Sequence, residues 1–134
     1  MTDTFGAIGI ANSGVHVYRT WLDALSDNIA NMNDVSRTGG KAFQERYVLA
    51  QAAQNGQGAE VAGAQFGNSA GRVVNEPDNP MADANGNVVY PDIDLGTQMT
   101  QMVMAQRGYQ ANLAVVDRAH DAYSAALQLG RNVT

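Results

Sequence analysis

Apolar residues near the start of the chain fall at Ile8, Ala11, Val15, Tyr18, Leu22, Leu25, Ile29 and Met32, in steps of 3-4-3-4-3-4-3. That is one narrow stripe repeating every 3.5 residues, the heptad pattern of a helix wound on a partner helix. It predicts a helix over residues 4–32, about 40 Å long at about 1.5 Å per residue. The pattern returns near the other end. Met99, Met102, Tyr109, Leu113, Val116, Tyr123 and Leu127 lie on a 3-4-3-4 ladder whose polar rungs are Gln106 and His120. Polar rungs in such a seam lower stability and help to set register. The ladder predicts a second long helix across Leu95–Arg131.

Between the helices the period changes. Residues 31–40, Asn-Met-Asn-Asp-Val-Ser-Arg-Thr-Gly-Gly, read as a helix stop, with Asn31 as a left-handed terminating residue and the paired glycines at positive φ. Residues 41–53 carry Phe43, Tyr47, Val48 and Leu49 and read as a strand or extended arm. Residues 54–71, rich in Gly, Ala, Gln and Asn, read as loops with one short strand near Glu60–Phe66. Arg72–Asn75 predicts a further strand, ended by Pro77 and Pro80. Asn85-Gly86 predicts a type I′ hairpin turn ahead of a strand at Asn87–Tyr90. Asp92 or Asp94 is placed to cap the last helix. The expected fold is therefore mainly α with a small β-rich middle. It comprises an N-terminal helix (1–35), an irregular β-hairpin segment (36–94) and a C-terminal helix (95–134), the two ends forming a coiled coil or helical bundle.

The backs of these helices change the picture. Gly6, Gly9 and Gly14 lie in the first one, each lowering helix stability by about 1 kcal/mol relative to Ala. Only Arg19, Asp23 and Asp27 charge its surface over 4–32, fewer than a solvated helix face normally carries. Burial on more than one face, with the extra faces covered by other chains, accounts for this. A helix packed on a small core of its own chain would show the same stripe.

At 134 residues the chain is a single domain at most, and much of its 45% hydrophobic content is alanine, with 7% aromatic residues, so a large self-contained core is not expected. A net charge of -5, with no Lys/Arg-rich run, argues against nucleic acid or an anionic membrane as partner. The absence of cysteine removes disulfides, a thiolate nucleophile and Cys-based metal sites, and suits a protein that leaves the cytoplasm. No stretch approaches 18 continuous apolar residues, so no membrane insertion is expected. Residues 1–5 lack the basic region and apolar core of a cleaved secretory signal, which leaves a cytosolic location or export without cleavage.

Candidate chemistry is sparse. His16 and His120 stand without the spacing or convergent carboxylates of a metal or general-base site. Asp83, Asn85, Asn87, Asp92 and Asp94 resemble a calcium loop, but the glycine comes too early, the bidentate Glu is missing and Pro91 interrupts. No phosphate-binding loop or nucleophile elbow occurs. The expectation is a non-enzyme with no cofactor and no small-molecule substrate. Asn28, Ile29, Ala30 and Asn31 read as a structural helix end rather than an epitope. Tyr109 reads as packing, with Arg107 and Gln110 beside it as interface residues.

Four motifs carry a resemblance. Asn28-Ile-Ala-Asn31, preceded by Leu25-Ser-Asp, resembles the S-N-I-A-N signature that ends the first helix of the flagellar rod/hook axial protein family. Arg107-Gly-Tyr-Gln-Ala-Asn112 resembles its R-A-Y-Q-A-N, through Arg107, Tyr109, Gln110, Ala111 and Asn112, and Leu127–Arg131 resembles its L-x-L-G-R finish. Asp83–Asp94 is similar to the D-A-D-G-Y-V-x-Y-P-N-V-D of the proximal rod subgroup. The chain departs from the family at the turn 34–41, which lacks the T-P-G-Y-K pattern, at Asp27 in place of Ser, and at Gly108 in place of Ala.

The resemblance implies a structural subunit of the basal-body rod, exported uncleaved by the flagellar type III apparatus and extracytoplasmic thereafter. Its partners would be other copies and other rod proteins, built into a tube that transmits motor torque to hook and filament. The alternatives are another axial subunit of the rod or hook, sharing the ends but not the middle, and an unrelated helical-hairpin interaction protein with a single partner.

Overall fold

Two long helices flank, in chain order, two small antiparallel sheets in the computed structural model, which describes residues 2–54 and 56–131. Met1 and residues 132–134, part of the end segments drawn from sequence, lie outside the described residues. The order is α1 (Thr2–Asn31), β1 (Ser36–Arg37), β2 (Arg46–Ala52), β3 (Ala59–Phe66), β4 (Arg72–Asn75), β5 (Asn87–Tyr90) and α2 (Leu95–Arg131). β2 and β3 form a hairpin arm, paired from Arg46↔Phe66 to Ala52↔Ala59 with a bulge at Leu49/Ala50. β5 lies between β1 and β4, both antiparallel to it.

The helices run antiparallel in one register. Gly14 meets Asn112 and Tyr18 meets Gly108, four residues on along α1 and four back along α2. Asn28 meets Gln98, ten further in each direction. The apolar core has two parts. Ala11, Ala24, Leu25 and Ala105 lie buried on the helices, and Val88, Val89, Pro91 and Ile93 lie buried where β5 leads into α2. Most of the helix part is alanine, so burial there contributes little per residue.

Local chemistry explains the element ends, and three expectations are corrected. Asn31 does not terminate α1 in a left-handed conformation, since no described non-glycine residue has positive φ, and of the paired glycines Gly39 alone, at 88°, has positive φ while Gly40 does not. Its amide instead donates back to the Asp27 carbonyl at 2.8 Å, and the chain leaves through an Asp34 N–H to Asn31 carbonyl bond. Asn85-Gly86 is not a type I′ turn. Only Gly86 has positive φ, at 76°, and its N–H closes a turn on the Asp83 carbonyl. The Asp83 carboxylate outcompetes a primed turn by accepting the N–H groups of Asn85 and Asn87. β4 and β5 are consequently joined by the longer loop 76–86. The region 34–41, read as turn alone, also carries β1, which caps β5 through Ser36↔Val89. α2 is capped by Asp94, whose carboxylate accepts the hydroxyl and N–H of Thr97, bonds that pull the Asp94 carboxyl below its ordinary pKa.

Candidate assembly faces and the polar junction between them

The helix pair meets through small and polar residues. A Cβ on Gly108 would overlap the Tyr18 ring, and one on Gly14 would overlap the Asn112 amide. Glycine on each helix thus admits a larger side chain from the other. The α2 residues that meet α1 in this way, Gly108 and Asn112, and the buried Gln98 and Ala105, each stand one position before a rung of the apolar ladder. One residue is about 100° around a helix.

The ladder on α2 therefore divides. Met102, Tyr109, Val116 and Tyr123 are half-buried, while Met99, Gln106, Leu113, His120 and Leu127 are exposed. On α1, Ala11 and Leu25 are buried and Ile8, Val15, Tyr18, Leu22, Ile29 and Met32 half-buried. Leu95 and Val103 add to the exposed apolar surface of α2 beside Met99. Of the motif residues, Arg107, Gln110, Ala111 and Ala30 are exposed. Asn112 is half-buried and its amide donates to the Gly108 carbonyl.

Asn28 is the exception among the motif residues, with none of its surface exposed. Its side-chain oxygen accepts the Arg46 N–H at 2.8 Å, and its amide donates to the Arg46 carbonyl at 3.1 Å and to Gln98 Oε1 at 3.0 Å. The amide group thereby pairs with both backbone groups of one residue, as a neighbouring strand would. Gln98, 1% exposed, passes the connection on by donating to Glu45, which also accepts the Tyr47 hydroxyl. The Glu45 carboxylate pushes the Tyr47 phenol up to about 12. Three chain segments, α1, the base of the arm and α2, are tied at this junction, and its amide groups are satisfied. Asp27, at the departure from the family serine, pairs with Arg46 at 2.9 Å; both side chains are substantially exposed, so the pair contributes little.

Sequence reasoning singled out Asn28 but missed Gln98, Glu45 and Arg46. A buried glutamine carries no periodic signal, and only its place one step off the ladder distinguishes it. The atypical turn docks on the subgroup motif, where the Thr38 hydroxyl donates to Asp83; the Asn87 N–H first, and Thr38 with it, hold that carboxyl below its usual range. Tyr90 donates to Glu76, which raises its pKa, and the Arg72 guanidinium lies 5.3 Å from its ring centre. Among the described residues no group of three or more His, Asp or Glu side chains could hold a metal ion, and no helix is long and apolar enough to cross a membrane.

Residues 84–129 match the family described as flagellar basal body rod FlgEFG protein C-terminal. Over 126 residues the chain is 32% identical to the flagellar basal-body rod protein FlgC of Salmonella typhimurium, covering 91% of this chain and 94% of that one. It is 33% identical to FlgC of Yersinia enterocolitica over the same shares of each chain. To FlgC of Borreliella burgdorferi it is 29% identical over 147 residues, 93% of this chain and 96% of that one.

Proposed function

The chain belongs to the FlgC family of flagellar basal-body rod proteins, and on that premise we propose that it is a structural subunit of the rod in the bacterial flagellar basal body. The carrying observation is similarity along nearly the full length of both chains. The family is structural, and no catalytic step enters the proposal.

The finer mechanism is assembly through the two apolar ladders. Ser13, Val17, Thr20 and Ala24 of α1 lie against the arm, and the ladder residues Val15 and Leu22 are two positions beyond Ser13 and Thr20, about 200° away. Both helices are right-handed and run antiparallel. A ladder displaced in the same rotational sense from each contact face therefore opens on one side of the pair, opposite the arm. That shared face carries Ile8, Val15, Leu22 and Ile29 from α1 and Met99, Met102, Leu113 and Leu127 from α2. Helices of neighbouring copies and of other rod proteins pack on it, with Gln106 and His120 setting register, and Arg107 and Gln110 lying at the edge of the contact. Residues 36–94 determine which partners fit. Contacts of this kind join unlike surfaces of successive copies and so build an open helical tube rather than a closed ring. The tube carries torque from motor to hook and filament, and its subunits reach it through the flagellar type III export apparatus.

Leu113→Asp tests the shared face. Leu113 keeps 36% of its surface exposed in the single chain, so its replacement should leave the isolated protein folded, at a cost of about 1–2 kcal/mol. It should abolish swimming of a strain that depends on this chain while the protein is still produced. A motile Leu113→Asp strain would refute the shared-face mechanism.

A further inference from the structure

The arm β2–β3 is fastened to α1 at two polar points and loosely packed between them. At its base the Asn28 amide holds both backbone groups of Arg46, whose exposed guanidinium also pairs weakly with Asp27 of α1. At its tip the Ala59 N–H donates to the Ser13 hydroxyl at 3.0 Å, and that hydroxyl donates on to the Ile10 carbonyl at 2.6 Å. Gly58 lies so close that a Cβ would overlap Ser13.

Two open clefts run along β2 between these points. One, of about 260 Å³, is lined by Val17, Tyr18, Trp21, Val48 and Ala50. The other, of about 310 Å³, lies by Thr20, Asp23, Ala24, Arg46, Val61 and Ala64. Space of this size forfeits the dispersion contacts that a filled interface would supply. The arm belongs to a two-stranded sheet of its own, and the side chains of Tyr47 and Leu49 on β2 are exposed.

We infer that the arm is a strap, caught on α1 by Asn28 at the base and Ser13 at the tip, which opens as a unit while the α1–α2 pair stays intact. The helix pair holds together without it, through Gly14/Asn112, Tyr18/Gly108 and the buried Leu25 and Ala105. Opening bares the strip of α1 around Val17 and Trp21. The subunit gains a joint that lets identical helix pairs carry their arms at more than one angle. Asn28 is a positioning residue for the arm, acting through the Arg46 backbone.

The full chain with Asn28→Leu and Gln98→Leu together tests this. Replacing both partners of a buried hydrogen bond by apolar groups leaves the helix contact filled but removes the base catch. Amide hydrogen exchange across Arg46–Ala52 and Ala59–Phe66 should speed up roughly thirtyfold, the factor for losing about two hydrogen bonds of ordinary net strength. Exchange across Ala105–Asn112 should change less than about twofold. Trp21 is the only tryptophan and lines the cleft beneath β2, so its emission should shift to the red in the same variant. Ser13→Ala, which spares the junction, should speed exchange at the tip around Ala59 before the base. If arm and helix amides accelerate together, Asn28 is a core brace and there is no independent strap. If the arm amides do not accelerate, Asn28 is not the catch. Either result overturns the inference.

Discussion

At Gly108 two effects of similar size oppose each other. Alanine, which the family pattern carries at this position, would improve intrinsic helix stability by about 1 kcal/mol. The Tyr18 ring already occupies the place of its Cβ, and forcing extra volume into a packed contact typically costs about 1–3 kcal/mol. Gly108→Ala should therefore lower stability by about 1 kcal/mol in urea unfolding, and Tyr18→Leu in the same chain should recover part of the loss. Gly6 has open space around its Cβ position, so Gly6→Ala should be neutral or stabilising; a Gly108→Ala chain as stable as the Gly6→Ala one would sink the argument. Asp94 shows the same logic for charge. Its carboxyl is held below the ordinary value by Thr97, so its capping contribution is complete above the unfolded-state pKa and is lost as pH falls through the lowered one. Asp94→Asn keeps an N-cap acceptor but removes this titration. The acid limb of its stability profile should be shallower than that of the parent below about pH 4, and parallel limbs would contradict the assignment.

At the scale of elements, the helices were legible because the 3.5-residue repeat is strong, and each begins and ends within a few residues of its expected place. Strands β2 to β5 were legible from short β-branched and aromatic runs between glycine and proline. β1 was not, because two polar residues without alternation give no strand signal, and β5 alone recruits them. The orientation of α2 was hidden for a related reason. Gln98, Ala105, Gly108 and Asn112 are invisible to a hydrophobic pattern, so the ladder one step away stood out although half its rungs are exposed in the chain. A face of small residues permits the close approach and leaves several larger apolar side chains, Met99 and Leu127 among them, at the surface.

At the scale of the whole molecule, an extended apolar face on a two-helix subunit predicts association that does not stop at a dimer. Sedimentation of the purified chain at rising concentration should show large, polydisperse species rather than one stoichiometry. A clean, concentration-independent dimer would instead fit a closed contact with one partner. Residue pattern alone settles that two long helices flank a β-rich middle, because periodicity is local and survives without knowledge of neighbours. The end motifs and the Asp83–Asp94 stretch likewise point to the rod family without coordinates. Only the tertiary structure decides that the helices pair through glycine and amide side chains, that Asn28 substitutes for a strand, and that Gln98 belongs to the core. Those choices depend on which residues, far apart in the chain, reach the same place, and a buried polar group is stable only where its particular partners are present.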